Sequence, residues 1–112
     1  MNRELLAFKP NKIKNDEIKY LYEENKAIII YPKKFSKLEK WIQNKIGGSE
    51  EIKRPLDKFT TFIWEKCDGK NSIAQIIRKF DGKFGEEVAP ADVKVQKFIK
   101  RLLELNLIEL EI

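Results

Sequence analysis

Between Ile18 and Tyr31 the apolar positions follow a strand rhythm. Ile18, Tyr20 and Tyr22 alternate with Lys19 and Leu21, and the run from Ala27 to Tyr31 is apolar and rich in β-branched side chains. Glu24-Asn25 falls between the two runs as a tight turn, with asparagine tolerant of positive φ, and Pro32 closes the hairpin. The rhythm then turns helical. Ser36-Lys37-Leu38-Glu39 matches a capping box, Leu38, Trp41, Ile42 and Ile46 follow at helical spacing, and Gly47-Gly48 supplies the stop, so a short amphipathic helix is expected over 36–46. Ser49 to Leu56 reads as a weak edge strand ending at Pro55.

The second half is more regular. Asp57 suits the N-cap of a helix carrying Phe59, Phe62, Ile63 and Cys67 and ending at Asp68-Gly69. Ser72-Ile73-Ala74-Gln75 is a second capping box, opening a helix with Ile73, Ile76, Ile77 and Phe80 on one face and a stop at Gly82 or at Gly85. Pro90 fits a first helical position, and behind it Val95, Phe98, Ile99, Leu102 and Leu105 form a long apolar stripe. Leu107 to Ile112 alternates apolar residues with Glu109 and Glu111, as a short terminal strand would. Residues 1–16 carry one apolar patch, Leu5 to Phe8, and are expected as an arm or tail. The predicted fold is therefore α+β, with a small antiparallel sheet beside a three-helix cluster over residues 17–112: the winged helix-turn-helix plan. That plan serves DNA readers and protein readers alike.

Composition narrows the chemistry. Of 112 residues, 42% are apolar and 37% charged, a globular balance with room for one domain. There is no histidine, hence neither the usual general base near neutral pH nor the commonest metal ligand. The single cysteine, Cys67, can form no internal disulfide, suits a reducing compartment, and sits in an apolar helical pattern as a small core residue would. Phosphate-binding glycine loops and nucleophile elbows are missing from the sequence. No apolar run reaches membrane-spanning length, and the first residues do not resemble a secretory signal, so a cytoplasmic protein is expected. Neither catalysis nor a cofactor or metal is expected.

A formal charge of +5 permits nucleic acid, an acidic peptide or an acidic enzyme surface as partner. Lys94, Lys97 and Arg101 recur on one face of the last predicted helix, where a winged helix would meet DNA. The same lysines equally suit the solvated back of a core-packed helix, and few polar residues suited to base readout lie near them. The carboxylate pairs Glu23-Glu24, Glu50-Glu51 and Glu86-Glu87 lie at turns or ends and suggest no acid/base geometry. Trp64 has the spacing of a core residue. For Trp41, core packing and an interaction surface both stay open.

The stretch Leu56-Asp57-Lys58-Phe59, then Ile63-Trp64-Glu65-Lys66-Cys67-Asp68-Gly69-Lys70, resembles the PqqD family of pyrroloquinoline quinone biosynthesis. The likeness continues through Ser72 to Ile77, Phe84-Gly85 and Phe98 to Leu103, and closes at Leu107-Ile108. It implies a winged-helix domain that recognises the leader segment of a ribosomal precursor peptide, without catalysing anything itself, and presents it to a modifying enzyme, often of the radical SAM type. Carried onto this chain, the leader would add a strand along Glu51, Ile52, Lys53 and Arg54 and lie against a helix at Val95, Ile99 and Leu103. The arm and the helix over 36–46 depart from the compact family plan. A DNA-binding regulator and a structural subunit of a larger enzyme are the other readings, with nucleic acid the less favoured partner.

Overall fold

The computed structural model describes residues 3–33 and 51–112. The helix expected over 36–46, with Trp41, lies outside the described residues. The chain forms two compact units: Met1–Lys14 with Asp57–Ile112, and Asn15–Leu56. The described residues are α+β, with three α-helices and two small antiparallel sheets, rather than the one sheet the sequence pattern suggests.

In the unit Asn15–Leu56, β2 (Lys19–Glu23), β3 (Lys26–Pro32) and β4 (Glu51–Pro55) form a sheet of order β2-β3-β4. Glu23 pairs with Lys26, so Glu24 and Asn25 alone make the turn, at φ 51° and 65°. A two-residue turn with both central residues at positive φ matches the right-handed twist of its strands, which is why the Glu-Asn signal is readable in the sequence. Along β3 the side chains of Ala27, Ile29 and Tyr31 are buried, and those of Ile28 and Ile30 are half-buried.

The other unit joins the two ends of the chain. A 3-10 turn (Arg3–Ala7) leads into β1 (Lys9–Lys12), which pairs antiparallel with β5 (Ile108–Glu111). The segment expected as a loose arm is thus a sheet strand. Pro10 is tolerated there for a definite reason. Ile13 N–H donates to Leu107 C=O, so by antiparallel alternation the Pro10–Leu110 pair is one that exchanges no hydrogen bonds. The outward carbonyls are used instead: Pro10 C=O accepts from Gly69 N–H at 2.9 Å, and Phe8 C=O from Ile73 N–H at 3.0 Å. Asn11 Nδ2 donates to Glu111 Oε1 at 2.7 Å across the pair.

The helices are α1 (Lys58–Lys66), α2 (Ile73–Phe84) and α3 (Ala91–Glu104). Both expected caps form. Asp57 Oδ1 accepts from Thr60 N–H at 2.7 Å while Thr60 Oγ1 accepts from Asp57 N–H, and Ser72 and Gln75 repeat the exchange on α2. Between α1 and α2, Asp68 accepts from the N–H groups of Lys70 and Asn71 and from Asn71 Nδ2. Burial pushes the Asp68 carboxyl up, but these bonds outweigh it and hold it below the ordinary aspartate value. Helix α2 passes through Gly82 and ends at Gly85, whose φ is +59°. Pro90 is the N-cap of α3 rather than its first residue. Trp64, Ile63, Ile76, Phe80, Val95, Ile99 and Leu102 are essentially inaccessible. Phe59, Phe62, Phe80 and Phe84 pack edge-to-face or tilted across α1 and α2, with ring centroids 4.9–6.5 Å apart.

Gly82 has an exposed position inside α2, and nothing lies within 4 Å of where a Cβ would stand. Gly82→Ala should stabilise the protein by about 0.5–1 kcal/mol, read as a higher denaturation midpoint. A lower midpoint would contradict this placement of the helix.

Candidate binding surfaces

Backbone bonding decides what β4 offers. Leu56 N–H donates to Ala27 C=O at 2.8 Å, next to the Ile28–Pro55 pair. Antiparallel alternation then makes Ile29–Arg54 and Tyr31–Ile52 the hydrogen-bonded pairs of β3 and β4. The two-residue hairpin agrees, since it turns Ile28 and Ile30 of β3 toward β2. The main-chain groups of Ile52 and Arg54 are therefore spent on β3. The outward groups are the N–H of Glu51 and Lys53 and the carbonyls of Glu51, Lys53 and Pro55. Among the described residues nothing pairs with that edge.

Side chains on β4 alternate in the same way. Ile52 and Arg54 are half-buried, and Arg54 Nε donates to Tyr31 Oη at 3.2 Å, whereas Glu51 and Lys53 are exposed. A strand added here would bond to Glu51 and Lys53. Of the residues expected on the helix, Val95 and Ile99 are wholly buried and Leu103 is half-buried. The apolar stripe of α3 serves packing at Val95 and Ile99, and only Leu103 of the three keeps surface. These helix residues belong to the unit Met1–Lys14 with Asp57–Ile112, whereas β4 belongs to Asn15–Leu56. Strand β2 is the opposite edge of its sheet and is exposed along its length.

The second surface is a cleft of about 400 Å³ between α1 and α3. Phe59, Ile63, Phe80, Val88 and Phe98 give it an apolar lining, and Lys94, Lys97 and Arg101 stand along the α3 side. All three cations are exposed. Arg101 reaches Glu104 at 3.5 Å, a solvated pair of little strength, and no ion pair engages Lys94 or Lys97 among the described residues. The acid on the α1 side is Asp57. Burial pushes its carboxyl up, yet the hydrogen bonds from Thr60 and the Phe59 N–H hold it below the ordinary value, so it is ionised and occupied as a cap. The sequence shows the basic stripe but not the cleft, whose lining comes from separate helices and their connection.

Cys67 is fully buried, its Sγ lies 3.3 Å from Ile63 C=O, and burial pushes the thiol up to about 12 against the pull of the Lys12 ammonium. It is an inert core thiol rather than a nucleophile. Lys12 Nζ lies 4.9 Å from the centroid of the Trp64 ring and donates to Cys67 C=O. None of the described helices is long and apolar enough to cross a membrane.

The fold and these surfaces define a small α+β domain whose distinctive features are a strand edge and a cation-lined apolar cleft. Residues 55–108 match the family model described as Coenzyme PQQ synthesis protein D (PqqD). That segment, just under half of the chain, runs from the end of β4 to the start of β5, and over it the chain is similar to the PqqD family. No curated protein and no solved structure gives a significant match to the chain.

Proposed function

We propose that this protein is a non-catalytic recognition domain that binds the leader of a precursor peptide by strand addition at β4 and presents it to a modifying enzyme. The match of residues 55–108 to the PqqD family model supports a peptide-binding role linked to quinone cofactor synthesis. The observation that carries the reading is the outward-facing edge of Glu51 and Lys53, which the strand pairing leaves without a partner among the described residues. Such an edge supplies main-chain donors and acceptors to an extended peptide of almost any sequence, while neighbouring side chains select. Strands followed by three helices and a last short strand support the winged-helix plan that the family implies. A radical SAM enzyme is the partner class we favour, and the cytoplasm the place. The α3 stripe borders an aromatic-lined cleft rather than a face of base-reading polar groups, which ranks duplex DNA below a peptide.

Proline scanning tests this. Lys53→Pro removes an outward N–H without touching the β3–β4 ladder, because only Ile52 and Arg54 bond to β3. Capture of bound peptide from cells, identification by mass spectrometry and titration of the synthetic peptide give the ligand and its affinity. Lys53→Pro should weaken binding by about 1 kcal/mol or more, with Lys53→Ala close to wild type and the melting temperature unchanged. Equal affinity of a folded Lys53→Pro protein would rule out strand addition here.

A further inference from the structure

We infer that the cleft between α1 and α3 binds an apolar side chain carried on an acidic peptide segment. The inference rests on the peptide-binding reading and gives the peptide a chemistry. At about 400 Å³ the cleft lies at the lower end of the range of sites that bury compact ligands, large enough for one or two bulky side chains. Its floor is apolar: Phe59 and Phe98 are half-buried and Ile63 and Phe80 almost wholly so, leaving a surface that water solvates poorly.

Charge decides which occupant fits. Lys94, Lys97 and Arg101 line one wall over two turns of α3, and the one acid in the lining, Asp57, is held as a cap by Thr60. A peptide with carboxylates flanking a leucine or phenylalanine would place the apolar group on the floor and its charges against the lysines. Because the three cations are exposed, their attraction for a carboxylate is modest and screened by salt, but three charges of one sign disfavour a like-charged segment. The wall thus selects by sign and the floor by size.

The test uses the full-length protein and three synthetic octapeptides that alternate leucine with aspartate, with asparagine or with lysine. The aspartate peptide should bind about tenfold or more tighter than the asparagine peptide at low salt, the lysine peptide should not bind, and the advantage should shrink as salt rises. It should shift the methyl resonances of Ile63 and Val88. Lys94→Glu with Lys97→Glu should remove the preference at an unchanged melting temperature, and Lys94→Arg with Lys97→Arg should keep it; a Lys→Gln pair replaces the first variant if that fails to fold. Unmoved Ile63 and Val88 resonances at saturation, or a preference unaffected by charge reversal, overturns the inference. So does tighter binding of myristate or duplex DNA in the same cleft. Shifts confined to Glu51 and Lys53 leave strand addition standing and sink the cleft alone. Shifts in the cleft without any on β4 do the reverse.

Discussion

Trp64→Ala should cost about 3–5 kcal/mol of stability, the usual penalty when a large aromatic is cut from a tight interior. The indole is wholly buried on α1 and has the Lys12 ammonium 4.9 Å from its ring centroid. Truncation leaves a void that the helices cannot close, and it strips Lys12, whose own pKa is already lowered by burial, of an aromatic neighbour. Small domains are stable by roughly 5–15 kcal/mol, so this single change would consume a large share of the margin. Urea denaturation followed by circular dichroism measures it. A loss below about 1 kcal/mol would place Trp64 outside the core, contrary to its burial.

The connection between α1 and α2 should be nearly as sensitive. Gly69 holds φ at +77°, and a Cβ there would stand 3.0 Å from Asn11 Cγ and Nδ2. Asn11 cannot simply withdraw, because its amide is bonded to Glu111 and its backbone pairs with β5. The Gly69 N–H also ties this turn to Pro10 C=O. Gly69→Val therefore combines a left-handed conformation that β-branched residues avoid with a steric push on β1, and should cost about 2 kcal/mol or more. Gly69→Ala should fall between wild type and the valine variant in a melting series. Indifference of the melting temperature to valine would contradict the contact with β1.

Local signals were legible in the sequence, and distant ones were not. The caps at Asp57 and Ser72 and the turn at Glu24-Asn25 each depend on a few neighbouring residues, so their chemistry can be read in place, whereas the sequence offers both Gly82 and Gly85 as the stop of α2 and only Gly85 ends it. Strand β1 is the opposite case. Lys9-Pro10-Asn11-Lys12 has no β-branched residue or alternation, and it is a strand only because β5, at the far end of the chain, meets it. No local rule reports such a pairing, and the same pairing divides the strands between two sheets.

The candidate surfaces divide similarly. The edge at Glu51 to Arg54 could be placed from the weak strand pattern and the family likeness. Which of its N–H groups face outward could not, because that depends on the register with β3. Proline at Ile52 would break the sheet's own ladder, whereas proline at Lys53 would not. On α3, apolar periodicity marks Val95 and Ile99 as one stripe with Leu103, but burial separates them, since periodicity gives a face and not the depth to which it is covered.

Amide hydrogen exchange at β4 is the most direct trial of peptide recognition by strand addition. With saturating synthetic peptide of the captured sequence, the Glu51 and Lys53 amides should exchange about tenfold or more slowly, as each gains a main-chain partner. The Ile52 and Arg54 amides, already bonded to β3, and those of Tyr20 and Tyr22 on the opposite edge should change little. Bound peptide with Glu51 and Lys53 still exchanging at their free rates, or with protection at Tyr20 and Tyr22 in their place, would show that the ligand does not join the sheet at β4.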